Sequence, residues 1–210
     1  MPPELVETDD LTAAALALFV EADPRRIVLA GGETPRPVYE RLREVDHPWA
    51  ETHVLMGDER CVPLDHPASN FGMAREALLA HVPAVAHPMP VGSCDPGAYE
   101  SVVRDALGDP PRVDLAFLGI GEDGHTASLF PGDPALAETE RLVVRVDRPD
   151  HPRLTLTLPV LSSARLAIFL VDGPSKGVAM RRLLAGEEIP ASRVRAERVL
   201  VLATPRVTRG

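Results

Sequence analysis

Lysine is almost missing from this 210-residue chain: of 22 basic residues only Lys176 is a lysine, and all the others are arginines. Aromatic residues make up just 4%, so any core must be built mainly from aliphatic side chains. There are two cysteines, Cys61 and Cys94, with no C-x-x-C relation. Two sulfurs cannot build much of a disulfide framework, which makes a reducing cytoplasm the default location and a structural role the default for both. Positive charge is scarce as well. A formal net charge of -9 argues against nucleic acid or an anionic membrane as the main partner, because both demand a surplus of cations. Any anionic ligand must therefore be met by local positive charge. Long hydrophobic runs are also lacking. LTAAALALFV, residues 11–20, is too short to span a bilayer, and the acids Glu4, Glu7, Asp9 and Asp10 before it are the wrong flank for a signal peptide. The run predicts a first helix, capped near Asp9 or Asp10.

What the chain does contain is a regular alternation. RIVLA, HVLM, VDLAFLGI, RLVVRV, RLTLTL, RLAIFLV and VLVLA read as short strands. PVYERLREV, SNFGMAREALLAHV, AYESVVRDAL and KGVAMRRLLAG read as helices; Val38, Leu42 and Val45 fall at i, i+4 and i+7 of the first, and Ser69 is placed to cap the second. With no repeat and no convincing linker, this predicts one α/β domain over residues 1–210: a doubly wound, mostly parallel, Rossmann-like three-layer sheet flanked by helices. Such sheets bind ligands at the carboxyl ends of their strands. Four turns follow strands directly: GGETP, GDERCVP, GIGEDGH and DGPSK.

The third of these contains Gly119, Gly121 and Gly124 in the G-x-G-x-x-G spacing of a dinucleotide site. That motif requires a helix to open at its last glycine, so that backbone amides meet the pyrophosphate. Here HTASLFPGDP follows, and Pro131, Gly132 and Pro134 leave room for barely two turns. Glu122 and Asp123 would also face the phosphates, so no nicotinamide cofactor is expected. Asp-Gly-His at a strand end suits proton transfer instead, with His125 as base and Asp123 orienting it.

In LAGGETP, Gly31 and Gly32 let backbone amides approach a ligand and Thr34 stands where a helix begins, a pattern that fits an anion nest and equally a tight βα turn with no ligand. Lys176 in DGPSKG and Arg153 at the start of RLTLTLP are the cations available to a phosphate. GDERCVPLDHPASN groups Asp58, Glu59, Arg60, Asp65 and His66 after a strand, but without a metal-ligand spacing, so no metal is expected. Arg60 reads as an oriented cation, with some of these acids holding it.

The segments AGGETPRPVYERL, GDERCVPLDHPASNFGMAREALL, DLAFLGIGEDGHTASLFPG, PRLTLTLPVLSSA and VDGPSKG, in this order over nearly the whole chain, resemble the family of glucosamine-6-phosphate isomerases and 6-phosphogluconolactonases. DGHTASLFPG is the most specific of them. The resemblance implies cofactor-independent hydrolysis of a phosphorylated sugar lactone in the cytoplasm. It places the general base at His125, a pocket arginine at Arg60, and the phosphate at Gly31, Gly32 and Thr34 with Arg153 and Lys176. Asp58 and Asn70 fall in matched pocket segments. Glu33 departs from the family's GGSTP, and a carboxylate beside a phosphate is repulsive unless it points outward or pairs with an arginine. The isomerase branch typically reads DGHIAFNEP, with an acid where this chain has Phe130, and ends its second motif Asp-Glu-Tyr where this chain has Asp58, Glu59 and Arg60. Both differences favour the lactonase branch over the isomerase, and a non-catalytic sugar-phosphate sensor is the alternative of another class. Nucleic acid and membrane are not expected partners, and the sequence leaves open whether the chain is a monomer or a small homo-oligomer.

Overall fold

The predicted strands and helices sort into two sheets in a computed structural model that describes residues 2–208. In chain order the elements are β1 (Glu4–Glu7), α1 (Leu11–Ala22), β2 (Arg26–Leu29), α2 (Arg36–Leu42), β3 (His53–Met56), β4 (Asp58–Arg60), α3 (Asn70–Ala74) with a π-helical turn (Arg75–Leu79), β5 (Val85–His87), α4 (Pro96–Leu107), β6 (Val113–Leu118), β7 (Val143–Val146), β8 (Arg153–Leu156), α5 (Leu158–Ser162), β9 (Ala164–Val171), α6 (Gly177–Leu184), β10 (Arg198–Ala203) and α7 (Pro205–Thr208). The main sheet has seven strands in the order β1-β10-β9-β6-β2-β3-β5, and every pairing in it is parallel. This is the doubly wound parallel sheet that the alternation predicts.

Side-chain alternation divides its two faces. Leu115 and Phe117 of β6, with Ile27 and Leu29 of β2, pack against Phe19 of α1 and Val38, Tyr39 and Leu42 of α2. Ala116 and Leu118 of β6, with Phe169 of β9, pack on the other side against Tyr99 and Val103 of α4 and Met180 and Leu183 of α6. The period of two in a strand makes both faces apolar, as a sheet covered by helices on both sides requires. Local caps fix where helices start: Asp10 accepts a hydrogen bond from the Ala13 N–H at 2.9 Å, and Ser69 accepts one from Gly72 at 2.9 Å.

Four features differ from expectation. RLVVRV and RLTLTL leave the main sheet; as β7 and β8 they form a small antiparallel sheet with β4, in the order β4-β8-β7. Asp58–Arg60 is thus a strand rather than part of a turn. β1 and β5 are short edge strands that the apolar pattern does not reveal. Finally, Cys61 at the end of β4 and Cys94 before α4 are joined by a disulfide, with Cα atoms 5.6 Å apart. A single crosslink between residues 33 apart in sequence is no framework, and it gives both cysteines a structural role, yet it is a bond that the default of a reducing compartment does not lead one to expect. Among the described residues no helix is long and apolar enough to cross a membrane.

Candidate active site

β2 and β6 are neighbours, but the chain leaves β2 towards β3 and β5 and leaves β6 towards β9 and β10. A reversal of this kind opens a crevice at the carboxyl ends of the strands. There the four turns marked in the sequence converge on one pocket of about 330 Å³, lined by Gly31, Gly32, Thr34, Asp58, Arg60, Asn70, His125, Arg153 and Lys176 among others. Every predicted site residue except Asp123 lies on its wall, and Asp123 touches His125 from behind.

The loop after β6 closes as a tight turn and opens no helix: Gly124 donates to the Gly121 carbonyl at 3.0 Å and Gly121 to the His125 carbonyl at 2.8 Å. The dinucleotide geometry is therefore not built. Gly121 is needed for another reason. A Cβ there would lie 2.0 Å from Nδ1 of His125, so only glycine leaves room for the imidazole to fold back over the loop. The ring's Nδ1 is 2.6 Å from Asp123 Oδ1, which also accepts the His125 backbone N–H at 3.0 Å. Burial alone pushes the Asp123 carboxyl up, but these bonds and the imidazole's charge outweigh it and hold it below the usual range. An ionised carboxylate only accepts, so Nδ1 is the atom that donates to it, and in the neutral ring it is Nε2 that holds the lone pair. Nε2 has no hydrogen-bond partner among the described residues. Phe130 packs its ring 4.5 Å from the imidazole.

Arg60 is held differently from expectation. Its Nη1 donates to the Ala68 carbonyl and to Asn70 Oδ1, both at 2.9 Å, and it pairs with no carboxylate among the described residues. Its neighbour Glu59 is wholly buried and accepts from Ser69 Oγ and from the backbone N–H groups of Arg60, Asn70 and Phe71. Burial pushes the Glu59 carboxyl up, against the pull of those donors. Glu59 thus fastens the backbone around Arg60 instead of neutralising its charge. Asp58 is 7% exposed and accepts from Ser128 and Asn70.

Antiparallel pairing sets Arg153 of β8 opposite Arg60 of β4, a juxtaposition across 93 residues that no local pattern announces. Arg153 is tied to Asp150 at 2.7 Å and its side chain is 12% exposed. Lys176 is half-buried and forms no ion pair among the described residues. The turn after β2 is braced by Tyr39, whose buried hydroxyl donates to the Ala30 carbonyl and accepts the Ala30 N–H, each at 2.9 Å. Glu33 also borders the pocket, but its side chain is 90% exposed to solvent and its carboxylate lies 4.0 Å from Arg36. Tyr39, Ser128 and Asp150 are the supports that sequence reading missed. Ser128 and Tyr39 carried a signal, since they lie inside DGHTASLFPG and AGGETPRPVYERL; Asp150 lies outside every such segment.

Comparison with known proteins shows the family and the fold. The family model described as Glucosamine-6-phosphate isomerases/6-phosphogluconolactonase matches residues 7–202. A 6-phosphogluconolactonase of Synechocystis sp. is 44% identical over 191 residues, covering 86% of this chain and 80% of its own. The crystal structure of a 6-phosphogluconolactonase from Thermotoga maritima superposes with a TM-score of 0.86 at 31% identity, covering 96% of this chain and 99% of that one. A monomeric glucosamine-6-phosphate deaminase shares the fold, with a TM-score of 0.79 at 22% identity, and covers 98% of this chain and 99% of its own.

Proposed function

The chain belongs to the family of glucosamine-6-phosphate isomerases and 6-phosphogluconolactonases, and from that premise we propose that it is a lactone hydrolase. It converts 6-phospho-D-glucono-1,5-lactone to 6-phospho-D-gluconate, the second step of the oxidative pentose phosphate pathway. Its place is the cytoplasm, where phosphorylated sugars are retained by their charge. The observation that carries the reading is His125 on the pocket wall backed by Asp123, with Nδ1 occupied at 2.6 Å and Nε2 without a hydrogen-bond partner among the described residues.

A lactone carbonyl is electrophilic and its ring oxygen departs more readily than an amine, so an activated water and a stabilised oxyanion suffice. Nε2 of His125 takes a proton from water as the water oxygen attacks the carbonyl carbon. Asp123 supports the imidazolium that forms. The Arg60 guanidinium, free of carboxylate partners, faces the developing oxyanion. The tetrahedral species then collapses, the bond from carbon to ring oxygen breaks, and the imidazolium returns the proton to that oxygen. The phosphate is held by backbone amides of Gly31 and Gly32, by Thr34 and by Arg153 and Lys176. Holding this remote group converts binding energy into alignment.

Against the isomerase reading, Phe130 places an apolar ring beside His125 where the other branch carries an acid for proton transfer during ring opening. The test is the decay of freshly made 6-phosphogluconolactone against a matched enzyme-free rate. Acceleration that disappears in His125→Ala supports the assignment. Binding without acceleration would instead make the chain a sugar-phosphate sensor.

A further inference from the structure

Both carboxylate oxygens of Asp58 are already engaged. Ser128 Oγ donates to Oδ2 at 2.5 Å and Asn70 Nδ2 donates to Oδ1 at 3.2 Å, with a second bond to the Asp58 carbonyl at 2.9 Å. A carboxylate so far out of water needs such donors, and with them satisfied it has little left to offer a substrate. The consequence runs one step further along the chain of bonds. With its Nδ2 committed to Asp58, the Asn70 amide can only turn Oδ1 towards Arg60, which is where Nη1 meets it at 2.9 Å. Were the amide to flip, it would present N–H groups to a guanidinium that also only donates. Nor can Asn70 retreat towards the turn after β2. A Cβ on Gly31 would lie 1.9 Å from Oδ1, so the amide is pressed flat against that backbone.

Arg60 has few other ties. Its Nε is buried without a partner among the described residues, leaving the Ala68 carbonyl and Asn70 as what orients the guanidinium. At the far end, Ser128 is wholly buried. Its backbone N–H donates to Thr155 Oγ1 at 3.3 Å, and that hydroxyl donates in turn to the Leu156 carbonyl at 3.0 Å. Ser128 stands three residues after His125 in the same loop, yet its hydroxyl reaches an acid 70 positions earlier in the chain.

We infer that Ser128 is a positioning residue for the hydrolysis: through Asp58 and Asn70 it sets the direction of the Arg60 guanidinium and keys that direction to the loop carrying His125. Asp58 is then an internal strut and not a ligand of the sugar. The inference rests on the proposed role of Arg60 at the oxyanion.

The test is a double-mutant cycle on the full chain, with turnover of 6-phosphogluconolactone corrected for spontaneous decay. Ser128→Ala removes one hydroxyl and is expected to lower kcat by about tenfold while KM stays within about twofold, the pattern of an interaction realised only in the transition state. In an Arg60→Ala background the same substitution is expected to cost less than about twofold, because residues acting through one another are not additive. A Ser128→Ala enzyme with full turnover, or one losing the same factor whether or not Arg60 is present, overturns the inference. An Arg60→Ala enzyme with normal turnover would overturn the arginine's proposed role and the inference with it, and is told apart by the single variant alone. Should Ser128→Ala fail to give a cooperative melting transition, Asn70→Ala breaks the same chain of bonds at its other link and is read against Arg60→Ala in the same way.

Discussion

Arg60 and Arg153 face each other across β4 and β8, yet they are held in opposite ways. Arg60 is fixed by a carbonyl and an amide oxygen and keeps its whole charge for whatever enters the pocket. Arg153 is fixed by the carboxylate of Asp150, which offsets part of its charge before any ligand arrives. A charge developing in a transition state is best met by a cation that nothing else neutralises and that needs no reorganisation. A dianionic phosphate present throughout the reaction can be held by a cation of lower net charge but fixed aim. We propose that the difference divides the pocket lining by task, a rate wall of Arg60 and His125 and a holding wall of Arg153, Lys176 and the Gly31–Gly32 turn, and that the two meet: Asn70 links Arg60 to Gly31, and Arg153 lies 5.5 Å from the Phe130 ring that packs on His125.

The hardest blow to this division is struck at its base. His125→Ala is expected to lower kcat by about 10²–10⁴, the span typical of positioned general bases, with KM nearly unchanged. A rise in KM with kcat intact would move His125 to the holding wall. Next in size is Arg60→Ala, expected to lower kcat by about 10², comparable with the loss of one oxyanion donor. If its main effect fell on KM, the two arginines would not differ in function however differently they are held.

How far the sequence leads is clearest at this same pair. Arg60, Arg153, His125 and Lys176 are each legible as residues, because each follows or opens a strand with a recognisable apolar pattern and sits in a segment that resembles the family. Helix starts at Asp10 and Ser69 are legible for a local reason: the cap and the amide it bonds lie three residues apart. What stays hidden is tertiary. β4 reads as a polar turn since Asp58, Glu59 and Arg60 lack any strand signature, and its partner β8 lies far along the chain. β1 and β5 lack a clear core face, being short edge strands. The Cys61–Cys94 crosslink depends on how near β4 lies to the loop before α4. The bond from Ser128 to Asp58 and the one holding Arg153 to Asp150 follow from the folded loops, not from any periodicity.

On the holding wall the expected changes are smaller and fall on KM. Lys176→Ala should raise KM for the phosphorylated lactone by about tenfold, the loss of roughly one charged hydrogen bond. Turnover of unphosphorylated gluconolactone should not change. Equal losses on both substrates would show that Lys176 supports the fold of the turn and not the phosphate.

The finest test concerns Asp150. The His151 backbone N–H, more than Arg153, holds its carboxyl below the usual range, so at neutral pH it is ionised and opposes the approach of a phosphate. Asp150→Asn removes that charge and keeps an oxygen that can still accept from Arg153 Nη2. If aim and charge are separable, the variant keeps the aim and gains charge. KM for the phosphorylated lactone should then fall by about twofold at low ionic strength, a size suited to an exposed pair. The gain should vanish near ~0.5 M salt, where the screening length is only a few ångströms. A rise in KM would mean that the carboxylate's grip on Arg153 matters more than the charge it removes, and the contrast between the two arginines would then be one of rigidity, not of net charge.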